Sequence, residues 1–131
     1  MRIFVCISIL SILGLITRAQ EINVRNGIIT FAETSKDFGT ISEGDTISYV
    51  YHFTNTGTDT LRIIQVKTTC QCTSKEYTTA PVPPGGKGYV KVVFVSKDKY
   101  GLQRKVISVF SNASNSPVNL MLSCIVQKKQ P

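Results

Sequence analysis

Cys70-Gln71-Cys72 places two thiols one residue apart, at the close of a β-rich stretch covering residues 61–69. Two thiolates at that spacing can hold Cu(I) or contribute to a zinc site. They can also be oxidised to a disulfide. In an extended strand, Cα atoms two residues apart lie roughly 6.5–7 Å from each other, whereas a disulfide prefers about 5.5–6 Å. A bridge between Cys70 and Cys72 therefore needs a bent backbone and is easily reduced. This pair is the one candidate for chemistry in the chain.

The other sulfur and nitrogen ligands do not extend it. Cys6 lies in an apolar N-terminal run. Cys124 shares a strand face with Leu120 and Leu122, which suits a small buried hydrophobe. A bridge from Cys70 or Cys72 to Cys124 is a structural variant that would tie two strands together. His52, the only histidine, alternates with aromatic residues and is expected to face outward. One histidine and scattered carboxylates do not assemble a nucleophilic triad. Gly85-Gly86-Lys87-Gly88 has no helix after it and reads as a turn before a strand, not a phosphate loop. The sequence thus names no catalytic residue, no cofactor and no metal ligand beyond Cys70 and Cys72, and a non-enzyme is expected. Asn112-Ala113-Ser114 matches a glycosylation acceptor, expected to be idle in a bacterial chain.

The elements that position the thiols begin after a leader. Met1-Arg2 precedes an apolar run, residues 3–16, then Thr17-Arg18-Ala19. A basic start, a short apolar core and small residues before the cut describe a secretory signal peptide. The run is shorter than the ~20 residues that span a bilayer. Residues 1–19 are read as a signal-peptide helix, and residues 20–131 as one domain with no stable membrane span after cleavage. Export to the periplasm or the outside follows. Of 131 residues, 15 are Lys or Arg and 8 are Asp or Glu, a net charge of +7. Losing Arg2 and Arg18 leaves +5. The remaining basic residues are scattered, unlike a nucleic-acid patch.

Period-two alternation dominates the rest. In residues 46–55, Ile47, Tyr49, Tyr51 and Phe53 share one face, as in a strand with one buried side. Val90, Val92 and Phe94 repeat the pattern in residues 88–95, and Ile107 and Val109 form the inward pair of residues 103–111. Val118, Leu120, Leu122, Cys124 and Val126 line a last strand. Residues 61–67 are apolar at Leu61 and Ile63, then at Ile64 and Val66. The phase slips by one, which predicts a β-bulge at Ile63-Ile64. An early strand is expected at residues 28–32. Turns rich in Gly, Asn and Asp separate these runs. No stretch after the leader has a helical period. The pattern predicts an all-β, antiparallel, immunoglobulin-like sandwich of about seven strands.

Asp37-Phe38-Gly39-Thr40-Ile41, Glu43-Gly44-Asp45, Phe53-Thr54-Asn55-Thr56-Gly57, Thr69-Cys70-Gln71-Cys72-Thr73, Pro83-Pro84-Gly85-Gly86, Val92-Val93-Phe94 and Ser111-Asn112 occur in that order. This series resembles an uncharacterised bacterial family, domain of unknown function 1573, over residues 31–126. The resemblance implies an exported immunoglobulin-like sandwich akin to major-sperm-protein modules. It implies scaffold roles for the glycines, with Gly39 allowing a bend that Phe38 anchors, and it carries over no catalytic residue. Gln71 departs from the glycine usual between the two cysteines, and Cys124 stands where a small residue is expected.

The function expected on these grounds is a non-enzymatic binding or assembly module of the bacterial cell envelope with a protein partner. It is expected to work through an exposed edge, by strand addition, or through a loop end, and its candidate surface is the loop 69–79 with the turn 81–86. The alternative is a small periplasmic thiol-redox or copper-handling protein using Cys70 and Cys72.

Overall fold

The computed structural model describes residues 26–70 and 73–129. The signal-peptide reading of residues 1–19 therefore falls outside the described residues. Eight strands form two four-stranded sheets and no helix occurs among the described residues. The first sheet runs in the order β1 (Ile29–Phe31), β3 (Thr46–Asn55), β6 (Lys87–Val95), β5 (Thr73–Tyr77). The second runs β2 (Ser35–Ser42), β8 (Val118–Gln127), β7 (Gly101–Ser111), β4 (Ile63–Thr68). All pairings are antiparallel except β2 with β8, which is parallel.

The alternating runs fold as their pattern dictates. Tyr51 and Phe53 of β3, Val90, Val92 and Phe94 of β6, Ile107 and Val109 of β7, and Leu120, Leu122 and Cys124 of β8 are all buried. Together they fill the space between the sheets, and each large side chain so buried contributes about 1.5–3 kcal/mol. His52 is exposed, as the alternation requires. The slip of phase in β4 is a real irregularity: the register against β7 shifts between Ile63 and Gln65. Ile64 is turned out to solvent there, while Ile63 and Val66 stay in the core.

Two of the eight strands, β2 and β5, have no counterpart among the six runs read as strands from the sequence. Ser35–Ser42 lacks apolar alternation and holds Lys36, Asp37 and Gly39. It becomes a strand because it can pair with β8 along the sheet edge. Gly39, at φ +68°, sits where the β2 register shifts between Asp37 and Thr40. The Gly39 amide donates to Asp37 Oδ1 at 2.8 Å, and Phe38 packs against the core. The bend expected at Gly39 thus exists, but it is a bulge inside a strand and not the exit from one. Thr73–Tyr77, expected as loop, is the short edge strand β5. Its Lys and Glu have poor strand propensity, and the ladder with β6 overrides it.

The two sheets are tied at one end by asparagines. Asn55 is fully buried. Its Nδ2 donates to the carbonyls of Asp59 (2.8 Å) and Val82 (3.0 Å), and its Oδ1 accepts from the Gly57 amide (3.1 Å). Its backbone closes onto Gly85 and Gly86. Asn115 grips both the amide and the carbonyl of Ile29, and Asn112 accepts from the Arg62 amide and donates to the Thr60 carbonyl. Gly88 faces Phe53 across the ladder; a Cβ there would lie 2.3 Å from the ring. Between the sheets, the Tyr51 hydroxyl donates to the Met121 carbonyl at 2.6 Å. Burial pushes the Tyr51 phenol up to about 12, with smaller contributions from Tyr49 and Glu33.

Candidate functional site

Cys70 lies two residues after the end of β4, on the connection that crosses from one sheet to the other. Both strands it joins, β4 and β5, are sheet edges. The backbone there is held by hydroxyl groups. Thr68 Oγ1 donates to the Cys70 carbonyl at 3.2 Å, and Thr69 Oγ1 accepts from the Val106 amide of β7 at 3.3 Å. The Thr73 amide donates to the same Cys70 carbonyl at 3.4 Å.

Cys70 is half-exposed and is one half of a disulfide. Cys124 is a free, buried thiol. The expected variant in which Cys70 or Cys72 bridges to Cys124 is therefore not formed. Cys124 stays apart because its side chain turns into the core of β8. Burial raises its thiol pKa, with Lys105 drawing it down and Asp37 adding to the rise. Cys72, the other candidate, lies outside the described residues.

Thr68, Thr69, Cys70, Thr73 and Lys75 line a hollow of about 380 Å³ with a wide mouth. Thr73 and Lys75 reach it because they pair with Phe94 and Val92, whose side chains point into the core. They therefore sit on the inward face of β5. Lys105 is not among these lining residues; its Nζ stands 5.6 Å from the centre of the Phe94 ring. The lining thus combines one disulfide, three hydroxyls and a cation. Bound in a disulfide, Cys70 has no thiolate to offer a soft metal. Among the described residues, no group of three or more His, Cys, Asp or Glu could hold a metal ion.

The family model described as Protein of unknown function (DUF1573) matches residues 29–126. The chain belongs to the DUF1573 family. The match runs from the first residue of β1 almost to the end of β8, so the whole sandwich is the DUF1573 unit. No curated protein matches the sequence. Among solved structures, the DUF1573 sandwich is similar to a protein of unknown function from Porphyromonas gingivalis W83, with TM-score 0.68 and 17% identity. That likeness covers 77% of this chain and 47% of the other, so the chain spans about half of that protein's length. It is also similar to the ASH/PapD-like domain 7 of human CEP192, with TM-score 0.65 and 12% identity, over 81% of this chain and 89% of that domain. The secreted serine protease VesC from Vibrio cholerae matches at TM-score 0.59 and 12% identity, over 79% of this chain and 24% of the protease. At these identities the likeness is one of fold.

Two features had no signal in the sequence. Ser96 is fully buried, and its hydroxyl donates to the carbonyls of Ser42 (3.1 Å) and Asp45 (2.7 Å), pinning the β2–β3 turn to the end of β6. The second is an apolar stripe on the outer face of β7 and β8. Leu102 stands opposite Ile125, and Val106 opposite Met121. Leu102 is 60% exposed, Ile125 48% and Met121 38%, with Tyr100 at 58% beside the start of β7. By contrast, the turn 81–86 offered as a binding surface is built into the Asn55 knot.

Proposed function

We propose that this DUF1573 chain is an exported, non-enzymatic β-sandwich module that binds a protein partner in the bacterial cell envelope. The observation that carries the reading is the stripe of Leu102, Ile125, Met121 and Tyr100. Four large apolar side chains gathered on one two-strand face, with Arg104 paired to Ser123 in the middle of it, have the composition of an interaction surface: an apolar centre broken by arginine. Export is supported by the basic start, apolar run and small residues of positions 1–19. No helix among the described residues is long and apolar enough to cross a membrane.

The sheet edges favour this face over strand addition. β1 has three residues, β2 and β4 are bulged, and β5 has five residues with Lys75 turned inward. Such features blunt an edge against pairing. The test is crosslinking in intact envelopes with a photoreactive residue at position 102 or 125, followed by mass spectrometry. One defined protein crosslinked at these positions, and lost in a Leu102→Glu, Ile125→Glu variant that still folds, supports the reading. Absence of a crosslink, or one unchanged by the double substitution, overturns it.

A further inference from the structure

We propose that the protein partner of the β7–β8 face presents a carboxylate, set within an apolar patch of its own, that pairs with Arg104. The inference rests on the reading of this face as a protein-binding surface and adds the chemistry of what binds there. Its ground is the position of one guanidinium. Arg104 stands opposite Ser123, with Leu102 opposite Ile125 to one side and Val106 opposite Met121 to the other. Arg104 is exposed, as are Leu102, Met121 and Ile125 on the same face, and Val106 is half-buried. The charge therefore stands inside a frame of four apolar side chains.

Nothing in the sheet answers that charge. Asp37 is the only acidic residue of β2, β4, β7 and β8, against Lys36, Lys67, Arg104 and Lys105. It lies in the same row as Arg104 but beyond Ser123, two strands away. Its Oδ1 accepts from the Gly39 amide. Lys67, the other cation on this face, lies over a ring, its Nζ 5.5 Å from the centre of Phe110. Among the described residues, no hydrogen bond, ion pair or ring contact engages the Arg104 side chain.

Docking makes that solvated charge decisive. A partner that covers the four apolar residues takes water from Arg104 as well. A cation buried without a counter-charge opposes binding. A carboxylate removes the penalty, and the planar fork of arginine receives it through two parallel N–H donors. An arginine ringed by apolar contacts that exclude water is where binding free energy concentrates. An anionic lipid surface fits less well. The frame shares its sheet face with Asp37, Asn119 and Ser123, and these could not follow it among acyl chains without loss. Arg104 has a plainer use, to break an apolar patch and keep the chain soluble. On that use, removing the charge leaves binding unchanged or strengthens it.

The test adds substitutions at position 104 to photocrosslinking from position 125 in intact envelopes. Arg104→Gln and Arg104→Glu should each reduce the crosslinked product by at least about tenfold. Arg104→Lys should retain more of it than Arg104→Gln. Arg104 is exposed, so the variants should keep the thermal melt of the parent. The crosslinked partner peptide is then identified by mass spectrometry, and its acidic residues are changed to Arg one at a time. One such reversal should restore the product with Arg104→Glu and weaken it with the parent chain. A product unchanged by Arg104→Glu, or no reversal that rescues it, overturns the carboxylate while the face remains an interface. Absence of any crosslink in the parent overturns both readings. So does binding of the purified protein to phosphatidylglycerol vesicles that is lost in Arg104→Glu, where no protein is crosslinked.

Discussion

At one end of the sandwich, Asn55, Asn112 and Asn115 each bind the backbone of segments distant in sequence. At the other end, a half-exposed disulfide borders an open, cationic hollow on the passage from β4 to β5. The first end is polar yet closed: its donors and acceptors are consumed in holding turns together. The second brings the exposed Lys75 and the half-exposed Cys70 together beside a hollow. Both were prominent in the sequence as runs of Asn, Gly, Thr and Cys. Burial separates them: Asn55 is fully buried and its side chain meets three partners, while Cys70 is half-exposed beside a hollow.

Substitutions should expose that contrast, most strongly at the knotted end. Asn55→Ala removes three side-chain hydrogen bonds at a buried site, and should cost about 3 kcal/mol in urea unfolding. Gly88→Ala drives a methyl group into the Phe53 ring. A loss of about 1–3 kcal/mol is expected from the overpacking, measured the same way. Tyr51→Phe, midway between the ends, should cost about 1 kcal/mol by leaving the Met121 carbonyl without this donor. It also carries a pH signature. The folded Tyr51 phenol is raised from 10.0 to about 12, so its contribution is complete below pH 10. As pH rises from 10 to 12 the unfolded chain ionises first and stability falls. That decline should be weaker in Tyr51→Phe, in chemical denaturation series at stepped pH. At the open end, Lys75→Gln should change stability by no more than about 0.5 kcal/mol. A loss as large as that of Asn55→Ala would dissolve the distinction between the ends.

The sequence carried the inner faces well. Alternation in residues 46–55 and 118–126 gave the buried sides of β3 and β8, because both strands stand between a core and solvent. The doubled isoleucine at positions 63 and 64 announced the bulge of β4, since only a shift of register can bury Ile63 and Val66 together. β2 was not legible. Its residues have no alternation, and it is a strand only through its parallel partner β8, more than 80 residues away in the chain. β5 was hidden for the same reason: Thr73–Tyr77 is too short and too charged to show a period. The site followed the same division. Cys70 was conspicuous by its spacing, but Lys75 joins it in lining one hollow only when β5 pairs with β6. The outer stripe of β7 and β8 was hidden because Leu102 and Ile125 meet across a ladder, not along the chain.

The contrast between the half-exposed, disulfide-bonded Cys70 and the buried Cys124 is tested most directly by counting thiols in three states of the mature protein. Iodoacetamide is added to the native protein, to the native protein after millimolar reductant, and to the denatured, reduced chain, and each sample is weighed intact. The account predicts no label in the first state, two in the second and three in the third, with Cys124 modified only on denaturation. Two labels at once in the untreated native protein, or Cys124 labelled before Cys70, would contradict it.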